Sequence, residues 1–160
     1  MSDFKHLTYA AKDRIATITL NRPDRLNAIT RGMPAEIRAA VERANDDNDV
    51  HCIVLTGAGR SFCAGYDLVE SAEHKSRAAG GQDASTGPWD PMVDFAMMYR
   101  NTLDFGSLLR SFKPTIAKVR GHAVAGGALM LLGCDVRVGA DIPAKIGLNE
   151  VAIKMVLPDW

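Results

Sequence analysis

The stretch RIATITL at 14–20 sets Ile15, Thr17 and Thr19 against Ala16, Ile18 and Leu20, the period-two alternation of a strand with one covered face. With HLTYA before it, it predicts two early strands joined by a short turn. NRPDRLN breaks the alternation, and from Thr30 the period changes. Met33, Ile37, Val41 and Ala44 recur at helical spacing up to NDDND, with Thr30 as the expected N-cap and Pro34 in the first turn. HCIVLT at 51–56 is short, β-branched and apolar on both sides, as a strand covered on both faces is. TIAKV at 115–119 and DVRV at 135–138 predict two more strands. Before TIAKV a helix is expected from Met92 to Phe112, with Met92, Phe95, Tyr99, Leu103 and Leu109 on one face and Pro114 ending it. GAGRSFCAG at 57–65 reads as a glycine-punctuated loop with a helix starting at Tyr66, and 76–91 as a polar surface loop that is either an insertion or a lid. Strand, helix, strand, helix, strand in this order favours an α/β fold with a parallel sheet.

Two of the turns share one plan. HCIVLT leads through GAGRSFCAG toward a helix at Tyr66, and TIAKV leads through RGHAVAGG toward a helix at Ala128. The first amides of a helix have no intrahelical acceptor and sit at the positive end of its dipole, so two such ends side by side suit negative charge. A phosphate fits poorly. Neither turn has the lysine and hydroxyl of GxxxxGK[ST], and the GxGxxG begun by Gly57 and Gly59 has Phe62 in its last position. The developing oxyanion of a carbonyl fits better, because small residues let it approach the backbone closely. Among groups that move protons, Ser61 has no GxSxG elbow, Cys63 has no adjacent cation, and His51 and His122 read more readily as local hydrogen-bonding residues. Glu150 stands alone between IGLN and VAIKMVL. It is either a base tuned by desolvation or a solvent-facing helix cap.

Composition narrows the partners. With 160 residues, 47% of them hydrophobic, the chain is expected to form one domain over 1–160 with its own core. Nineteen basic and nineteen acidic residues cancel, which leaves no electrostatic footprint for nucleic acid or an anionic membrane surface. Lys5, Arg22 and Arg25 can still meet one anionic small molecule. Cys52, Cys63 and Cys134 form no CxxC pair, which argues against a disulfide framework or a metal site and for a reducing cytoplasm. No segment approaches the roughly 18 apolar residues of a membrane span, and the N-terminus lacks an apolar signal core.

ITLNRPDRLNAIT, IVLTGAGRSFCAGYDL, KPTIAKVRGHAVAGGALMLLGCDVRVGAD and AKIGLNEVAIKMVLP, in this order, resemble the crotonase superfamily of enoyl-CoA hydratases and isomerases. The resemblance implies the crotonase spiral of ββα units and an acyl-CoA thioester as substrate, with no further cofactor. It implies an oxyanion hole built from the N–H groups of Tyr66 and Gly126, which holds the thioester oxygen as an enolate forms. It places Ala64, Gly65, Tyr66, Asp67 and Leu68 beside the thioester and pantetheine end, and Arg25 near the CoA nucleotide, although a solvated surface arginine would look the same. Asp67 is expected to cap its helix, and Asp135 to act structurally beside its strand.

Hydratases of this superfamily use two glutamates; the first would stand at Leu129, and the second matches Glu150. One base suffices to shift a double bond, so the pattern resembles the Δ3,Δ2-enoyl-CoA isomerases and implies conversion of 3-enoyl-CoA to 2-enoyl-CoA with Glu150 as the base. Hydration, C–C bond hydrolysis and non-catalytic binding of CoA or a partner chain remain the alternatives. Members of the superfamily are longer, so a core lacking most of the C-terminal helical part is expected, with apolar surface uncovered. The trimer or hexamer that the resemblance implies would then lack part of its contact surface.

Overall fold

Residues 4–70 and 90–150 are described by the computed structural model. The first predicted pair is β1 (Leu7–Lys12) and β2 (Ile15–Leu20), antiparallel from Leu7 opposite Leu20 to Lys12 opposite Ile15. The turn uses two residues, Asp13 and Arg14, both at positive φ (52° and 66°), as a type I′ hairpin demands. Ala16, Ile18 and Leu20 form the buried set of β2, so the alternation in the sequence reports the covered face. The helix α1 (Met33–Asp46) buries Met33, Ile37, Ala40, Val41 and Ala44. Its N-cap is Gly32 rather than Thr30. Glycine offers no side-chain acceptor, and the Thr30 hydroxyl takes the Met33 N–H from upstream at 3.2 Å.

β3 (Cys52–Gly57), β5 (Thr115–Val119) and β7 (Val136–Gly139) complete a five-stranded sheet in the order β1-β2-β3-β5-β7, parallel from β2 onward. The sequence does not announce the second sheet. β4 (Ser61–Cys63), β6 (His122–Val124) and β8 (Ile146–Gly147) lie side by side, all parallel, with β6 in the middle. GAGRSFCAG is therefore not simply a loop. Its SFC segment is a strand with all three residues buried, too short for alternation to register. From β3 onward each successive strand pair gives its first strand to the large sheet and its second to the small one. A helix follows β4 from Leu68, two residues later than expected, and α3 (Gly126–Leu132) follows β6, so the ββα spiral is present.

The helix α2 (Pro91–Leu109) departs from expectation in direction. It ends at Leu109 and not at Phe112, five residues short of Pro114. Met92, Phe95, Tyr99, Leu103 and Leu109 do share a face, but they are all exposed. Asn101, Asp104, Phe105, Gly106 and Leu108 are the buried ones. Helical spacing identifies a stripe without saying which way it turns. The inward polar groups have partners that secure their burial: Asp104 Oδ1 meets Arg38 of α1 at 3.1 Å, and Asn101 meets Tyr66. Most of the predicted polar loop at 76–91, and the segment after Glu150, lie outside the described residues. Asp90 caps α2 by accepting from Met92 N–H at 2.9 Å.

Candidate active site

Three parallel neighbouring strands deliver three chain segments to one edge of the small sheet. β4 runs into residues 64–68, β6 into 125–127, and β8 into 148–150. Ligands of parallel sheets gather outside the carboxyl ends of strands. In the ladder Cys63 stands opposite Ala123, so Tyr66 and Gly126 each lie three residues past that pair. Neighbouring strands are about 4.8 Å apart, which keeps the two turns in reach of each other. They touch directly. A Cβ added at Gly65, whose φ is +84°, would lie 2.8 Å from the Ala125 Cβ and 3.7 Å from the Gly126 nitrogen.

Backbone pairing then decides which amides stay free. Ile29 and Tyr66 form an isolated parallel bridge, in which Ile29 N–H donates to Gly65 O at 2.8 Å and Asp67 N–H donates to Ile29 O at 3.0 Å. In a parallel bridge the residue between those two groups points its own N–H the other way. Tyr66 is that residue, so it belongs to an extended bridge and not to the helix expected there. On the second turn, Ala125 N–H donates to Gly147 O at 3.0 Å, and Ala125 O accepts from Ala128 and Leu129. Gly126, first in α3, has no intrahelical acceptor. Among the described residues neither the Tyr66 nor the Gly126 N–H has a hydrogen-bond acceptor. Ala125 makes this turn at φ 51° and ψ −128°, a left-handed conformation that costs a non-glycine residue on the order of 1–3 kcal/mol.

Glu150 ends the third segment. It is 8% exposed, and its Oε2 is buried without a hydrogen-bond partner among the described residues. The solvent-facing cap that the sequence left open does not describe it. Leu129 is buried in α3. The other polar candidates are structural. Ser61 Oγ donates to His122 O at 2.8 Å, and His122 Nδ1 accepts from Lys145 N–H at 2.9 Å. Asp135 accepts from both the N–H and the hydroxyl of Thr115, and these two bonds hold its carboxyl below the ordinary range. Burial pushes the Cys63 thiol up to about 12 against a hydrogen bond from the Gly65 amide, which removes it as a nucleophile near neutrality. Among the described residues no cluster of His, Cys, Asp or Glu could hold a metal ion.

Beside these turns an open cleft of about 500 Å³ is lined by Lys5, Arg22, Arg25, Thr30 and Asp67, among others. The three lone cations of the sequence thus share one wall. Asp67 orders two of them: Oδ2 meets Arg22 and Oδ1 meets Arg25, each at 3.0 Å. Oδ1 also accepts from Val69 and Glu70 N–H at 3.1 and 3.2 Å, the helix cap the sequence foretold. Burial alone would raise the Asp67 carboxyl, but hydrogen bonds from Arg25, the Glu70 amide and Arg22 outweigh it and hold the group at about 2. Arg25 is therefore a partnered arginine and not an isolated one. Of the 64–68 segment, Ala64 and Gly65 are tied into the turn, with Ala64 N–H donating to Leu26 O at 3.1 Å, while the Leu68 side chain is exposed.

The enoyl-CoA hydratase/isomerase family profile matches residues 10–160. The chain belongs to that family. It is 38% identical over 138 residues to a probable enoyl-CoA hydratase of Mycobacterium tuberculosis, an alignment covering 86% of this chain and 48% of the relative. A 1,2-epoxyphenylacetyl-CoA isomerase of Escherichia coli is 34% identical over 130 residues, covering 79% of this chain and 44% of the relative. The crystal structure of an enoyl-CoA hydratase from Mycobacterium smegmatis superposes with a TM-score of 0.78 at 42% identity, over 92% of this chain and 51% of that one. The crotonase fold expected from the motifs is thus present, and the chain spans about half the length of the relatives it matches. No helix among the described residues is long and apolar enough to cross a membrane.

Two features of the site escaped the sequence. The small sheet that aligns its three segments consists of strands of three, three and two residues. Asn101, which reaches Tyr66, lies on a helix whose visible pattern is its apolar stripe, and no motif marks it.

Proposed function

We propose that this fold binds an acyl-CoA thioester and moves its double bond from C3 to C2. The thioester oxygen is received by the Tyr66 and Gly126 amides, and Glu150 carries the proton. Its carboxylate removes a proton from C2, the electron pair delocalises into the thioester carbonyl, and the two N–H groups stabilise the resulting enolate oxygen. The same carboxyl then returns the proton at C4, which leaves a 2-enoyl thioester and a regenerated base. The observation that carries this reading is the buried Glu150 Oε2, without a hydrogen-bond partner among the described residues, on a segment that leaves the small sheet beside the two amides. A carboxylate oxygen with no donor on it leaves its lone pairs open to a C–H proton of a ligand placed beside it. Burial of Leu129 where the resemblance places a hydratase's other glutamate supports one base over two. Lys5, Arg22 and Arg25 beside the cleft suit the anionic nucleotide end of the ligand.

Hydration is the second reading, and the names of the relatives favour it. Glu150→Gln should lower turnover of a 3-enoyl-CoA by about 10²–10⁴-fold while binding of the saturated thioester stays within a few-fold. Unchanged turnover would remove Glu150 from the chemistry. Hydration of a 2-enoyl-CoA by the wild type at a rate matching isomerisation would instead favour the second reading. Leu129→Glu tests the same contrast in reverse and should introduce hydration.

A further inference from the structure

The side chain of Tyr66 has a role separate from that of its amide. Its ring packs against the core and passes beside Gly126, where an added Cβ would meet two ring carbons at 3.5 and 3.7 Å. At the far end the phenol oxygen accepts from Asn101 Nδ2 at 3.3 Å. Asn101 is 7% exposed and projects from the inward face of α2. The ring therefore spans from one unpaired amide, past the other, to the helix that packs on α1. A hydroxyl that accepts from an amide keeps its own hydrogen to donate. Burial raises the phenol above its ordinary range, and the Asn101 bond draws it part-way back, so the ring stays neutral near pH 7.

Resting on the thioester reading above, we propose that the Tyr66 ring is the wall that selects acyl groups unbranched at C2, and that Asn101 is the positioning residue that holds the ring in place. A thioester whose oxygen sits between the two amides carries its C2 next to them. A substituent on C2 there competes for the space the ring occupies. Asn101 acts through the ring. Without its bond the phenol end is no longer tied to α2 and the packed ring can swing slightly about χ1, so the wall loosens although both amides remain.

The test uses the 160-residue chain and measures calorimetric affinities for hexanoyl-CoA and 2-methylhexanoyl-CoA, which need no turnover. The wild type should prefer the unbranched ligand. Tyr66→Ala should shift the ratio of the two dissociation constants toward the branched ligand by about tenfold. Asn101→Leu and Tyr66→Phe, which keep the ring and its packing, should shift it in the same direction by a smaller factor. Their double substitution should go no further than either alone, since both remove one shared bond. A general loss of structure would weaken both ligands and leave the ratio in place. Two results overturn the inference. If the wild type binds both thioesters and none of the three variants moves the ratio, the selectivity wall is wrong and the thioester reading stands. If the wild type binds neither, the thioester reading falls and takes the inference with it.

Discussion

The Asp67 carboxylate accepts from two guanidinium groups and two backbone amides, and this concentration of donors makes it the most consequential charge beside the site. Its carboxyl is drawn from the ordinary 3.8 to about 2, so its ionised form is favoured in the folded chain. The side chain is 3% exposed, and the shift corresponds to about 2 kcal/mol. Because the folded value is the lower one, this stability is complete above about pH 5 and is lost progressively as the pH falls through the folded value of about 2. Asp67→Asn should therefore lower the unfolding free energy at pH 7 by about 2 kcal/mol, and the gap to wild type should close on acidification. Denaturant titrations at pH 7 and pH 2.5 measure both; a gap of equal size at the two values would show that the ion pairs contribute nothing. In the sequence Asp67 was legible as a cap. Its two arginines lie more than forty positions away, a distance that no local pattern spans.

At the scale of elements, legibility followed length. β2 and α1 each have enough residues for their period to express itself: one of the two alternating sets of β2 is buried, and so is the apolar stripe of α1. The strands of the small sheet are too short for that, and the stripe of α2 reads clearly but faces outward. What the stripe could not reveal is that Asn101 and Asp104 find partners inside, which turns the polar side of the helix toward the protein. The turns depend on small residues for a reason that is local and steric. A Cβ at Gly127 would overlap the Cys63 carbonyl oxygen and come within 2.8 Å of the Cys63 Cβ, where α3 starts against β4. Gly127→Ala should cost about 1–3 kcal/mol by overpacking. It should weaken thioester binding as well, because relief of the clash drives the two turns apart. Full retention of affinity in calorimetry would mean that the pair of turns tolerates separation.

Over the whole molecule, two of the three cysteines lie buried and one half-exposed. Burial raises the thiols of Cys63 and Cys134 to about 12 and 11, opposed by hydrogen bonding in each case. At pH 8 the folded chain should release one equivalent of thiolate product from a disulfide reagent, at Cys52, and the chain in denaturant three. Rapid reaction of a second thiol in the folded state would show that the core opens readily. The large sheet, with its longer strands and α1 laid against it, was visible in the pattern of the sequence. The coupling of two sheets, which brings the chain segments carrying Tyr66, Gly126 and Glu150 out of neighbouring strands, arises from pairings between positions such as Ser61 and His122, too far apart in the chain for a local pattern to show.

The small sheet has a thermodynamic consequence. Its ladder contains few bonds and its β8 strand is exposed, so the β6–β8 pairing is expected to open at lower free energy than the large sheet, while the ligand proposed above would contact the ends of all three of its strands. Anything that binds only the closed arrangement stabilises it in proportion to ligand concentration over the dissociation constant. The amides of Ala123 and Ala125, which hold β6 to β8, should therefore exchange with deuterium markedly more slowly once hexanoyl-CoA is bound, whereas those of β2 and β3 should change little. Equal slowing across both sheets would indicate that the molecule opens as one unit. On this view the substrate is also the third fastening of its own site, joining strands that the chain alone pairs through a handful of residues.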